Sequence, residues 1–217
     1  LTRADNEIFS EQTNALANTL NTEQSEFDVL ELGAGDATKS TYLLKEWQNS
    51  GVDFTYYPID ISSSMIEYLE FEMPKRIPNL KVKGLSGEYL EQVSEAYRIS
   101  KRRKIILFLG SSIGNFELHE AHNFLRNLYN EIQPGDAVLI GFDLKENPHQ
   151  ILKAYNDSEG ITRDFNLNLL DRINSELNAD FNTSEFEHFP IYNPLTGACR
   201  SFLISQKSKT LLLEMER

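Results

Sequence analysis

Residues 28–44, DVLELGAGDATKSTYLL, decide how this chain is read. An apolar run reaches Glu31, breaks on Gly33 and Gly35, and restarts at Lys39 with the apolar spacing of a helix. A turn from strand to helix needs residues tolerant of positive φ, and a ligand lying on that backbone needs a missing Cβ. Two turn glycines with no ligand are the plain alternative for the motif alone. The spacing stops one glycine short of GxGxxG, with Thr38 where the third would stand. Glu31 ends a strand expected to be buried, where a carboxylate is costly unless it meets a donor or a cation. It would also repel a diphosphate. The loop therefore suits a ligand that carries positive charge or hydroxyls.

The rest of the chain bounds the possibilities. Its 217 residues allow one sizeable core and a smaller appended lobe. A formal charge of −12 argues against a surface built to neutralise phosphates, so no nucleic-acid partner is expected. KRRK at 101–104 is the one basic cluster, and it reads as a solvated lead-in to the apolar IILFLG. Cys199 is the single cysteine, which excludes an internal disulfide and a multi-Cys zinc site. No apolar run is long enough to span a bilayer and no signal-like segment opens the sequence, so a cytoplasmic protein with no membrane partner is expected. The sequence opens on Leu1 and stops in LLLEMER, and both ends are expected to continue into a longer protein.

Strand and helix alternate from about 27 to 144. Residues 5–20 read as a helix, 27–32 as a strand, and 39–49 as an amphipathic helix burying Leu43, Leu44 and Trp47. FTYYPID (54–60) reads as a second strand, followed by a Ser-capped helix carrying Met65, Ile66 and Leu69. A third strand breaks at Gly84, and a buried one begins at Lys104. The next helix turns Phe124, Leu125, Leu128, Tyr129 and Ile132 to one side, and AVLIGFDL (137–144) is another buried strand. This rhythm predicts an α/β fold, a parallel sheet with helices on both faces, whose ligand lies beyond the carboxyl ends of the strands. After Leu144 the pattern changes to helices at PHQILKAYND and 165–177, then strands at FEHFPIYN and CRSFLISQKSKTLLLEM around a PLTG turn. Leu169, Leu170, Ile173 and Leu177 are expected in the core of that second, α+β lobe, a lid or substrate lobe. The organisation expected is an N-terminal helical segment (1–22), a Rossmann-like domain (23–145) and the smaller lobe (146–217).

Each candidate residue falls at a strand end. Asp60 closes the second strand, where an acid commonly takes both hydroxyls of an adenosine ribose, and it also suits the N-cap of the following helix. In GLSGEY (84–89), Glu88 suits an exocyclic amine and Tyr89 the face of an adenine. Asn115, in GSSIGN, reads as a partner for a substrate amine or as an Asx turn. Tyr155 reads locally as a half-buried helical tyrosine, and Asp143 as a supporting acid in the same crevice. His119, His122, His149 and His188 lack metal-ligand spacing with a third ligand nearby, so surface or capping roles and no metal are expected.

ELGAGDATK, YYPIDIS, GLSGEY and FLGSSIGN, in this order, resemble a class I S-adenosylmethionine-dependent methyltransferase. More narrowly the chain is similar to the histidine Nα-methyltransferases of ergothioneine biosynthesis, and the similarity runs on through LIGFDLKENPHQILKAYNDSEGITRDFNLNLLDRINSELNADF. The resemblance implies S-adenosyl-L-methionine as cofactor, held at Gly33, Lys39, Asp60, Glu88 and Tyr89. Glu31 and Gly35 of the loop join that set on the residue reading above. It also implies amino-acid contacts at Gly110, Asn115 and Tyr155, the last two orienting the reacting amine. The expected function is methylation of the α-amino group of a small-molecule amino acid, L-histidine, to its trimethylated betaine, by a monomer. A nicotinamide-dependent oxidoreductase, a methyltransferase for another amine and a non-catalytic methyltransferase-like module are the alternatives.

Overall fold

The computed structural model describes residues 2–21 and 26–208. The expectations placed on Leu1, on 22–25 and on 209–217, including the end of the last strand, lie outside the described residues. The chain divides into two compact units, Leu1–Asp143 and Leu144–Arg217.

The first unit is built on a parallel sheet. Its strands are β1 (Glu26–Leu32), β2 (Asp53–Asp60), β3 (Lys81–Val82), β4 (Leu85–Ser86), β5 (Lys104–Phe108) and β6 (Ala137–Ile140), ordered β3-β2-β1-β5-β6 with β4 also on β2. Alternation along β1 turns Phe27 and Val29 to one face and Leu30 and Leu32 to the other. The first pair joins a core with Leu43, Leu44 and Trp47 of α3 (Ser40–Asn49) and Leu69 and Met73 of α4 (Ser63–Arg76). The second joins Val93 and Ala96 of α5 (Tyr89–Ile99) and Phe124 and Leu128 of α6 (Leu118–Glu131). Burial on both faces explains why β1 and β5 read as near-continuous apolar runs.

Several expectations change in detail. The single N-terminal helix is two, α1 (Thr2–Glu11) and α2 (Thr13–Leu20), broken at Gln12. The third strand is a pair of two-residue bridges on either side of Gly84. Tyr129 is exposed, because α6 covers the sheet through Phe124 and Leu128, with Ala121 and Leu125 partly buried beside them. Strand β6 ends at Ile140, so Asp143 lies beyond it and is exposed.

The basic cluster is not a solvated lead-in. Lys104 is fully buried, its ammonium bonded to Asp28 at 2.8 Å and to the carbonyls of Ser100 and Arg102. Arg102 pairs with Asp53 and Glu26, and Arg103 donates to the carbonyls of Leu20 and Gly135. The three side chains tie together the amino ends of β1, β2 and β5.

The second unit contains α7 (Pro148–Tyr155), α8 (Ile161–Leu177) and an antiparallel hairpin of β7 (Phe186–Tyr192) and β8 (Cys199–Ser205). In α8 only Leu170 is buried, whereas Leu169 and Leu177 are exposed, against expectation. His188 also departs from expectation: it is buried on the hairpin face that pairs it through Nε2 with Ser201 Oγ at 2.9 Å. Among the described residues no helix is long and apolar enough to cross a membrane, and no cluster of three His, Cys, Asp or Glu could hold a metal ion.

Replacing Lys104 by Met leaves Asp28 buried and unpaired, and is expected to lower stability by about 3–5 kcal/mol. Combining it with Asp28→Leu should recover most of that loss. Urea denaturation followed through Trp47, the single tryptophan, measures both.

Candidate functional site

The chain reverses its direction of growth at β1: β2 lies on one side of it and β5 on the other. Loops leaving the carboxyl ends of β1 and β5 therefore part, and the crevice between them is where open α/β sheets take ligands. A cavity of about 290 Å³ lies there, lined by Glu31, Gly33, Gly35 and Lys39 after β1, by Gly110 after β5, and by Asn6 of α1.

The loop after β1 is held in shape by its neighbours. Gly33 N–H donates to the Ile59 carbonyl at 2.8 Å, stitching the loop to the end of β2. Gly33 has φ +68°, and a methyl built on it would come within 2.8 Å of the Tyr89 hydroxyl. Gly35 and Ala37 are also left-handed, at φ +52° and +55°. On the outer side the Arg76 guanidinium donates to the Asp36 carbonyl at 2.7 Å. Opposite, Gly110 is left-handed at φ +69°, and a methyl there would meet Lys39 Nζ at 2.8 Å. Both glycines thus form a cradle that a side chain would fill.

Glu31 is 3% exposed, and the Tyr56 hydroxyl donates to its Oε2 at 2.5 Å. Burial pushes its carboxyl up to about 7, against the hydrogen bonds from Ser40 and Tyr56 and the charge of Lys39, which act to lower it. Burial, and then the neighbouring Glu31, also raise the Tyr56 phenol well above its ordinary value.

A second group stands at the end of β2. Asp60 Oδ1 accepts from Ser62 N–H and its carbonyl from Gly87 N–H, both at 3.0 Å, which draws the loop after β4 alongside it. Glu88 precedes α5 and is exposed. The Tyr89 ring packs edge-on against Phe108 and Phe124, with centroids 5.7 and 6.2 Å away, so its hydroxyl end meets the glycine loop. Burial, then the charges of Asp60 and Glu88, raise its phenol.

Of the residues singled out in the sequence, Glu31, Gly33, Gly35, Lys39 and Gly110 meet at the cavity, and Asp60, Glu88 and Tyr89 cluster beside the same loop. Asn115 is exposed at the end of a 3₁₀ turn (Ser112–Asn115) and does not line the cavity. Tyr155 ends α7 in the second unit and is half-buried there. Tyr56, Ser40, Arg76 and Asn6 escaped the sequence reading. For Tyr56 a signal exists: YYP in a strand buried on both faces must bury one phenol, and Glu31 is the acceptor diagonal to it in the β1–β2 register.

A doubly covered parallel sheet with an acid-bearing glycine loop at its reversal point defines a nucleotide-type α/β ligand site. Over residues 1–217 the chain matches the family described as histidine-specific methyltransferase, SAM-dependent, and it belongs to that family. It is 30% identical over 165 residues to histidine N-alpha-methyltransferase of Mycolicibacterium smegmatis, covering 76% of this chain and 51% of that protein. It is 37% identical over 149 residues to ergothioneine biosynthesis protein 1 of Neurospora crassa, covering 67% and 17%. To 4-dimethylallyltryptophan N-methyltransferase of Claviceps fusiformis it is 32% identical over 136 residues, covering 58% and 38%. The chain spans about half the length, or less, of the curated relatives it matches.

Gly33→Ala is expected to cost about 1–2 kcal/mol from its left-handed φ alone, and more from the Tyr89 hydroxyl. Tyr89→Phe removes the oxygen that the methyl would strike, so the double variant should lose less than the single changes added together. Thermal unfolding of all four proteins reads this coupling.

Glu31 makes stability depend on pH. A carboxyl at about 7 in the folded chain, against its ordinary 4.5, holds more protons folded than unfolded between those values. Its contribution is fully present below 4.5 and is lost as pH rises through 7. Glu31→Gln should lack this decline, so that variant and wild-type melting temperatures separate progressively across that window in the variant's favour.

Proposed function

We propose that this protein is an S-adenosylmethionine-dependent N-methyltransferase that acts on the α-amino group of free L-histidine and carries it to the trimethylated betaine. One observation carries the reading: in a chain of this family, Glu31, Lys39 and a two-sided glycine cradle meet in the crevice at the sheet's reversal point. The donor set fits the cofactor. Lys39 suits its carboxylate, Glu31 its cationic end, and Asp60 and Glu88 its ribose hydroxyls and exocyclic amine. Gly33 and Gly110 let the Tyr89 hydroxyl and Lys39 Nζ stand close to the loop backbone at the cavity.

When bound, S-adenosylmethionine supplies a methyl group on a sulfonium. Transfer to an amine is an in-line displacement that needs a neutral nucleophile, alignment and little water. Orientation of the amine is assigned to Asn115 and Tyr155, amino-acid binding to these and Gly110, and the remaining substrate surface to residues 146–217. The net charge of −12 speaks against a nucleic-acid partner; a cytoplasmic monomer acting on a small molecule is part of this proposal. Membership of the family leaves a nicotinamide-dependent oxidoreductase without support.

Mass spectrometry of histidine incubated with the full-length protein and S-adenosylmethionine should show one to three added methyl groups. Unchanged histidine beside a methylated tryptophan-derived amine would transfer the substrate to the branch represented by the Claviceps relative. Asp60→Ala should weaken S-adenosylhomocysteine binding by calorimetry about tenfold or more, the loss of a charge-assisted hydrogen bond.

A further inference from the structure

Asn6 lies on α1, to which the sequence assigns no chemistry. Its side chain lines the cavity with Glu31, Lys39 and Gly110, and its Oδ1 is buried with no hydrogen-bond partner. Buried acceptors are nearly always matched, so an orphan in a cavity wall marks a donor that the cavity receives. The charges sharing the wall say which donor. Lys39 is the cation there, suited to a carboxylate, while Glu31 is the buried acid, suited to an ammonium. A group bearing both, the amino-acid end of the cofactor, complements the two charges and supplies the donor that Asn6 Oδ1 lacks.

We infer that Asn6 Oδ1 accepts a hydrogen bond from the α-ammonium of the cofactor's amino-acid end and helps set affinity for it. The inference rests on the methyltransferase reading, and it adds a ligand from a helix outside the sheet. Asn6 would act as a cofactor ligand without entering the methyl transfer itself.

Calorimetry on the full-length protein tests it with two ligands, S-adenosylhomocysteine and its analogue lacking the α-amino group. Asn6→Ala should bind S-adenosylhomocysteine about tenfold more weakly and the amine-free analogue as wild type does. Asn6→Asp keeps the acceptor and adds a negative charge, so it should bind S-adenosylhomocysteine at least as tightly as wild type. Asn6→Ala removes an unmatched buried acceptor and should melt no lower than the ligand-free wild type. The inference is overturned if Asn6→Ala weakens both ligands equally or neither. It is also overturned if Asn6→Asp weakens binding as Ala does, which would make the amide nitrogen the ligating end. A change confined to the histidine KM would reassign Asn6 to the substrate. A wild type that binds neither ligand would overturn the underlying methyltransferase reading as well, a result distinct from any difference between variants.

Discussion

Strand β1 carries two carboxylates into the middle of an apolar sheet, Asp28 at 1% exposure and Glu31 at 3%, on opposite faces. The fold depends on how each is matched. Asp28 meets the fully buried Lys104 ammonium, whose other protons go to two carbonyls. That arrangement satisfies a buried ion pair completely, the condition under which its attraction offsets the cost of desolvation. Glu31 meets hydroxyls, and burial holds it near the midpoint of its titration at neutral pH. Asp28 is thus matched by a buried cation, whereas Glu31 is held by hydroxyls with the Lys39 charge nearby. Asn6 Oδ1 is unmatched at the same cavity; Asn21 Oδ1, Gln48 Oε1 and Arg103 Nη1 are also unmatched, but none of them lines it.

The crevice itself requires strained backbone. Ala37 and Ser111 are non-glycine residues at φ +55° and +57°, one in the loop after β1 and one in the loop after β5. Left-handed backbone costs an alanine or serine roughly 1–2 kcal/mol, and such residues persist only where neighbours over-determine them. Those neighbours are visible. The Ile59 carbonyl holds Gly33 from below and Arg76 holds the Asp36 carbonyl from outside, while Ser112 N–H and hydroxyl turn back on the Leu109 carbonyl. The divergence of two loops at the β1–β5 reversal is thus braced from both sides.

Much of this was legible from residue order. Period-two and helical spacing revealed the alternating core, and Glu31 was readable because an acid at the end of an apolar run has no bland explanation. Other features were hidden for physical reasons. Lys104 looked solvated because a charge run ordinarily is, and its partner Asp28 is far off in sequence, joined to it only by the β1–β5 register. Leu169 and Leu177 read as core because α8 is apolar on more than the side it buries through Leu170. Asn6 carried no local signal at all: its place at the cavity comes from the packing of α1, which no spacing within 1–22 encodes. The cradle glycines were legible as turn formers, but their close approaches, to Tyr89 and to Lys39, are tertiary.

The missing third glycine now has a structural counterpart. A diphosphate-binding loop presents the free N–H groups of a helix amino end to its anion. Here two of those groups are already engaged, Thr41 N–H by the Ala37 carbonyl and Tyr42 N–H by the Lys39 carbonyl, and in the loop before them Thr38 N–H is taken by the Asp36 carboxylate at 3.0 Å. The Ser40 hydroxyl, buried at the first turn, is directed to the Ala37 carbonyl and to Glu31. With an acid beneath the loop and the Asp36 carboxylate beside it, this strand–loop–helix frame is a poor host for a diphosphate. Thr38 and Glu31 thus bear on the same loop, and a glycine at 38 alone would leave the Asp36 and Glu31 carboxylates at the cavity.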